Sequence, residues 1–289
     1  MNIIFSISGG LGKSILATAV CQAIKKKYTE DRLIVVTGYP EAFQNLPYVY
    51  MAVRHNEDYF FEKFVENQEV KFFATEPYMI TEHILRKEHL IETWCKMYDV
   101  PYNGELPEVP LNEREVTFFS HKYRFEKPIM ILQTNGGGGH EIKYSWARDM
   151  PMSVAKVIVE QYRHQYDILH IRREDQFPLE HTIHIQDGYK QIAFLIATSS
   201  KRVLIDSFCQ HMAAGLRKAS TVLWIVNTPK VFGYEIHDNI LSNPETIKPD
   251  LRNASFGKYN IVGALHEFPY ETETQIFNID KILSSIDSQ

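Results

Sequence analysis

Cysteine is scarce in this chain: Cys21, Cys95 and Cys209 are the only three in 289 residues. They are odd in number, far apart and at no metal-ligand spacing. This excludes a disulfide-stapled scaffold and points to reduced, buried thiols in a cytoplasmic protein. Apolar runs are short, and none approaches the roughly 20 residues that a membrane-spanning helix needs, so no integral membrane segment is expected. A basic excess is also missing. With 31 Lys and Arg against 36 Asp and Glu, the net charge is −5, which excludes bulk attraction to nucleic acid but leaves room for a local basic groove. The opening residues read as a strand and a glycine loop rather than a targeting segment. No short-period repeat occurs, and no low-complexity stretch beyond Gly136 to Gly139. No carboxylate pair at metal-binding spacing follows a strand, so neither a metal nor a cofactor is implied.

What is present is the composition of a globular protein, 44% apolar and 23% charged, at a length that suits two domains of ordinary size. Ile3 to Ile7 reads as a strand, Ser8 to Gly12 as a loop, Ser14 to Lys27 as a helix with apolar residues at helical spacing, and Leu33 to Thr37 as the next strand. That βαβ unit implies an α/β fold. Tyr48 to Val53 and Val70 to Phe73 are further strand candidates, Ile80 to Tyr98 reads as one long helix, and Val116 to Phe119 as a strand. After the proline-rich stretch Pro101 to Pro110, the plan repeats. Strand Ile129 to Leu132 leads to Gly136–Gly139, then to a helix from Met152 to Tyr166, strand Ile168 to Ile171 and helix Lys190 to Thr198. Ile276 to Ile286 reads as a terminal helix. The expected organisation is a first domain over 1–125, a second over 126–270 and a C-terminal helix within 271–289.

The most informative stretch runs from Arg202 to Ile240. A buried strand, Val203 to Ile205, delivers Asp206 and Ser207 to the start of a helix carrying His211, Ala213 and Ala214. A second apolar strand, Thr221 to Val226, ends in the polar loop Asn227-Thr228-Pro229-Lys230. Such a helix start holds unpartnered N–H groups and the positive end of the helix dipole, and it suits an anion. Ser207 is placed to cap that helix and to face the ligand. A lone histidine on an apolar helix is usually structural; the spacing from Asp206 makes a ligand-facing His211 an even alternative.

Asp206-Ser207, His211 four residues on, and the following Ala213-Ala214 and Leu216 resemble the nucleotide-sugar motif of the ADP-heptose:lipopolysaccharide heptosyltransferases, glycosyltransferase family 9. The resemblance is strongest from Thr134 to Ile240. It implies two Rossmann-like domains facing across a cleft, the GT-B architecture, with the donor on the second domain and the acceptor on the first. It also implies a C-terminal helix that crosses back onto the first domain. Lys143 to Pro151 resembles the family's Lys-X-Trp-Pro segment with longer spacing. Lys143 and Arg148 are both candidates to offset the charge that builds on a departing nucleoside diphosphate.

The N-terminal loop carries two readings. Gly9-Gly10-Leu11-Gly12-Lys13-Ser14 resembles a P-loop, whose backbone, lysine and serine would hold phosphates and magnesium, with Asp206 as the linked acid. Against this, Ile7 stands where that pattern needs glycine, and the variant pattern's extra lysine would fall on Ser8. Under the glycosyltransferase reading, Gly10, Leu11, Gly12 and Lys13 border the acceptor. Many heptosyltransferases have Gly-Asp there, the Asp being a candidate base; this chain has Gly12-Lys13. A lysine near a helix N-terminus is disfavoured by the dipole, which suggests an anionic neighbour. Glu76, after a strand, is the candidate substitute base, with Tyr78, His83 and Lys87 nearby.

The site expected from sequence is therefore Lys13, Glu76, Lys143 and Arg148 for catalysis, with Thr134, Asn135, Gly136, Gly137, Lys143, Arg148, Asp206, Ser207, His211 and Thr228 for the donor. The expected activity is transfer of a sugar from a nucleotide-sugar co-substrate to a hydroxyl, inverting and without a metal or other cofactor. The acceptor is a lipopolysaccharide-like or other glycan, with a modified DNA base as a second acceptor class. A P-loop NTPase and a non-catalytic sugar-nucleotide-binding relative are the competing function classes. The oligomeric state is not legible.

Overall fold

Strands and helices alternate along the chain and build two parallel sheets. The computed structural model describes residues 1–57, 59–136, 142–260 and 267–289. The first part comprises β1 (Asn2–Ile7), α1 (Leu11–Lys27), β2 (Arg32–Thr37), β3 (Met51–Val53), α2 (Tyr59–Phe64), β4 (Val70–Phe73), α3 (Thr81–Ile84), α4 (Leu90–Met97) and α5 (Glu113–Lys122). The second comprises β5 (Ile129–Gln133), α6 (Met152–Tyr162), β6 (Asp167–Ile171), β7 (Ile183–Ile185), α7 (Tyr189–Thr198), β8 (Lys201–Ile205), α8 (Phe208–Gly215), β9 (Thr221–Trp224), α9 (Pro229–Phe232), β10 (Asp238–Leu241) and α10 (Ile279–Asp287). The first sheet has the order β3-β2-β1-β4 and the second β10-β9-β8-β5-β6-β7, with every pair parallel. The expected α/β class, with two Rossmann-like sheets, is what the chain adopts.

Alternation along the strands sorts residues between two faces. Ile3, Phe5, Ile7, Leu33 and Val35 point towards α1 and α4; Ile4, Ile34 and Val36 point to the other face, under α2. In the second sheet Ile131, Leu204 and Val222 join α7 and α8, while Met130, Leu132, Val203, Ile205 and Leu223 meet α6 and α10. Both inner faces belong to one continuous apolar core, so the helices between the sheets bind the two halves together. Fully burying one such Ile or Leu contributes about 1.5–3 kcal/mol.

The direct bridge is α1 against α8. At their crossing, a Cβ built on Gly12 would lie 3.2 Å from His211 Cδ2 and 3.5 Å from Phe208 Cα. Glycine there lets the two N-termini approach. A second bridge joins α5 to α7, with Phe119 and Phe194 rings 5.6 Å apart and Glu115 3.6 Å from Lys190 Nζ.

Several elements differ from expectation for local reasons. The long helix over Ile80 to Tyr98 is broken: Arg86 takes a left-handed backbone, φ 51°, and the His89 side chain accepts from Ile91 N–H to start α4. Val116 to Phe119 is helical, not a strand, because Asn112 and Glu115 form a reciprocal capping box that starts α5. The terminal helix, capped by Asn278, does not cross back to the first sheet. Its Ile282 and Ile286 pack under β8, β9 and β10, where the outer face of the second sheet needs cover. No helix among the described residues is long and apolar enough to cross a membrane.

Enlarging the α1–α8 contact tests this architecture. Gly12→Val is expected to lower stability by about 1–3 kcal/mol, the usual range for overpacking, in urea denaturation. A variant as stable as the parent contradicts the close approach.

Candidate functional site

In an open parallel sheet, ligands bind beyond the carboxyl ends of the strands, where the strand order reverses. In the second sheet that point lies between β5 and β8, and in the first between β1 and β4. Residues 134–136 and Asp206-Ser207 leave the first pair of strand ends; Ser8 to Gly12 and the segment through Glu76 leave the other. The two reversal points open on one cavity of about 560 Å³, lined by Gly10, Leu11, Gly12, Lys13, Arg148, Asp206, Ser207 and His211 from the expected set. Tyr39, Tyr78, Phe208 and Phe232 supply an aromatic wall, with Leu16 and Asn227.

Two helices point their N-termini into this cavity. α1 starts at Gly10 and α8 at Ser207; neither receives a side-chain cap, and neither has an acidic residue in its first turn. The expectation that the Ser207 hydroxyl caps α8 is thus not met: Ser207 lies in extended backbone and lines the cavity instead. First-turn N–H groups have no partner inside their helix, so both ends present positive partial charge to the same space. Gly9, at φ 95°, makes the turn that aims α1, a conformation costly for other residues.

Lys13 adds a full charge in the first turn of α1. Its side chain is 4% exposed and pairs with Glu76, whose carboxylate also accepts from the Ser8 hydroxyl. Its Nζ lies 4.9 Å from the Tyr78 ring centre and 5.4 Å from that of Trp94. Burial pushes the Lys13 pKa below the ordinary lysine value, against the opposing pull of Glu76. The anionic neighbour inferred for Lys13 is therefore Glu76. Ser14, which a P-loop would turn towards magnesium, is 1% exposed and 3.1 Å from the Thr37 hydroxyl.

On the facing side, Arg148 lines the cavity, and a Cβ on Gly136 would overlap its side chain, so glycine makes room for the guanidinium stem. Burial raises the pKa of Asp206, opposed by Arg148 and by Asn227, whose amide donates to the Asp206 carboxylate. His211 is 4% exposed; its Nδ1 is 2.9 Å from the Tyr234 hydroxyl, and burial holds it neutral, far below the usual histidine range. It packs against Gly12 and also lines the cavity.

Other expected donor residues take supporting positions. Thr134 is fully buried, its hydroxyl 2.7 Å from Asn135 Oδ1 and 2.7 Å from His170 Nε2. Asn135 donates to the Lys143 carbonyl and to Asp149, and Gly136 N–H donates to Asp149 at 2.8 Å, so that N–H is turned from the cavity. Lys143 is exposed and outside the cavity lining, which leaves Arg148 as the cation there. Thr228 accepts from Lys230 N–H at 3.4 Å at the start of α9 rather than lining the cavity. Gly137 lies outside the described residues. Asp149, missed in the sequence, organises this loop: its buried carboxylate also accepts from Ser145 N–H at 2.8 Å. Its place beside Arg148 and before Pro151 was the available signal. Trp146 packs edge-on against Phe256 and Phe268.

No protein-family model matches the sequence, and no curated protein matches it. Solved structures match its fold over the whole length. The Escherichia coli ADP-heptose lipopolysaccharide heptosyltransferase II superposes with TM-score 0.71 at 12% identity, covering 100% of this chain and 98% of that one. A family 9 glycosyl transferase from Veillonella parvula gives TM-score 0.70 at 10% identity, covering 99% and 96%. The E. coli heptosyltransferase TibC, described as iron-containing and dodecameric and solved with ADP-D-beta-D-heptose, gives 0.67 at 12%, covering 99% and 76%. The chain has the GT-B fold of these heptosyltransferases.

Burial holds His83, His89, His170 and His237 neutral, each pushed down to about 4. An unfolded chain takes up these protons as pH falls through about 6.5, while the folded chain resists until about 4. Stability is therefore full above pH 6.5 and falls as pH drops from 6.5 towards 4, each histidine contributing up to about 1.4 kcal/mol per pH unit. Urea denaturation across that window checks it; a flat profile down to pH 5 contradicts it.

Proposed function

We propose that this protein is an inverting glycosyltransferase that moves a sugar from an ADP-linked donor to a hydroxyl of a glycan acceptor. The observation that carries the reading is the convergence of two uncapped helix N-termini, Lys13 and Arg148 on one cavity between the sheets. That arrangement suits a diphosphate. ADP bound to the E. coli heptosyltransferase WaaC and ADP-heptose bound to TibC support the choice of nucleotide.

Residues 126–270 are proposed to hold the donor and residues 1–125 the acceptor, in a cytoplasmic protein. The diphosphate lies at the α8 N-terminus beside Arg148, where negative charge grows as the sugar's anomeric carbon–oxygen bond breaks. Fixed N–H dipoles and a guanidinium stabilise that charge without reorganising. Asp206, held by Asn227, accepts hydrogen bonds from sugar hydroxyls. The acceptor oxygen forms the new bond on the opposite face of the anomeric carbon, and its proton passes to Glu76. This carboxylate stands in for the family's candidate base, which Lys13 has displaced; Lys13 and Ser8 hold it in place. The cations of the cavity supply the charge neutralisation that a metal provides elsewhere. A P-loop NTPase is disfavoured because the Ser14 hydroxyl is buried against Thr37. A non-catalytic relative would keep Glu76 only as the partner of the buried Lys13, so sugar transfer by the parent protein separates that reading by experiment.

With an ADP-sugar panel, Arg148→Ala is expected to weaken ADP binding about 10–100-fold, the worth of a charged hydrogen bond. Glu76→Gln is expected to keep ADP affinity and slow transfer by about 10²–10⁴-fold, the usual contribution of a general base. Calorimetry and product analysis read the two effects. No transfer by the parent protein with any nucleotide sugar, or full transfer by Glu76→Gln, contradicts the mechanism.

A further inference from the structure

The cavity's two walls are also joined by a loop that the substrate site does not use. After β10 the chain leaves the second sheet at Ile247 and returns at Tyr270, where the two residues pair antiparallel and Lys248 N–H donates to the Pro269 carbonyl at 2.8 Å. Between these feet, residues 256–260 reach the first half of the molecule. Arg86 holds them there. Its Nε donates to Asn260 Oδ1 at 2.8 Å, and its Nη2 to the carbonyls of Phe256 at 2.9 Å and Tyr259 at 3.0 Å. Asn260 answers with its backbone N–H on the Ile84 carbonyl at 2.9 Å and its side-chain amide on the His83 carbonyl at 3.2 Å. Five hydrogen bonds thus join one turn of the first half to one segment of the second.

Both ends of this contact lead into the cavity. His83 packs against Tyr78 and edge-on against Phe232, at 5.0 and 5.6 Å between ring centres, and both of those line the cavity. On the other side the Phe256 ring meets Trp146, two residues before Arg148. Arg86 spends a left-handed backbone, φ 51°, on reaching this position, a conformation uncommon for a residue with a side chain.

We infer that residues 248–260 form a strap between the halves, and that Arg86 is a positioning residue whose grip sets the separation of the cavity walls. One planar guanidinium meets three acceptors at once, a geometry that lysine cannot reproduce. Releasing the grip leaves α1 and α8 in contact but lets the walls carrying Tyr78 and Arg148 part. The kinetic consequence rests on the transferase reading: a wider cavity misplaces the reactants, so turnover falls more than donor KM rises.

The three native cysteines are buried, so spin labels can be directed to two exposed positions, Glu66→Cys and Glu180→Cys, one in each half. In pulsed electron–electron distance measurements on the full chain, the parent is expected to show one narrow distribution. Arg86→Ala and Asn260→Ala, which release the latch from opposite sides, are each expected to add a longer-distance population, with Arg86→Lys between. Where transfer is measurable, kcat of Arg86→Ala is expected to fall by about tenfold or more, and donor KM to change less. Unchanged distance distributions in both alanine variants overturn the strap. A longer population in a protein that neither binds nor uses any nucleotide sugar upholds the strap and removes the transferase reading instead.

Discussion

The structure depends on bringing two helix N-termini to one point. Each carries positive partial charge and unpartnered N–H groups, so placing α1 and α8 nose to nose is unfavourable unless something offsets it. The apolar core shared by the inner faces of both sheets supplies the attraction, and Gly12 removes the bulk that would keep the helices apart. Within the described residues Glu76 pairs with Lys13 at one end, and at the other Asp206, held by Asn227, directly precedes Ser207. A doubly charged diphosphate completes that balance better than either carboxylate alone, which is why the cavity is read as a leaving-group site.

Lys13 shows how a cation at a helix start is accommodated. A lysine in the first turn of a helix is electrostatically misplaced, yet it is nearly fully buried, between the Tyr78 and Trp94 rings and paired with Glu76. Its partner acid lies three residues beyond the end of β4, at the reversal point of the first sheet.

Much of this is legible in the sequence. The βαβ periodicity identified the sheets, and Asp206, Ser207 and His211 were placed by the strand–helix transition that carries them, because strand ends and helix starts are fixed by local chemistry. The pairing of Lys13 with Glu76 and the choice of Arg148 over Lys143 were not legible, since each depends on a register between segments far apart in sequence. Helix boundaries failed where one polar group decides: His89 restarts a helix that apolar spacing alone continues, and Asn112 turns a short apolar run into α5. Asp149 was overlooked because a buried carboxylate that braces a loop has the same sequence appearance as a solvated one.

The most direct test of the central claim is a crystal structure with ADP bound. The account predicts the diphosphate at the α8 N-terminus, with its oxygens within hydrogen-bonding distance of the first-turn N–H groups and of Arg148, and Glu76 still paired with Lys13. Phosphates wrapped by Gly9 to Ser14 with magnesium on the Ser14 hydroxyl, or a nucleotide bound outside the cavity, would contradict it.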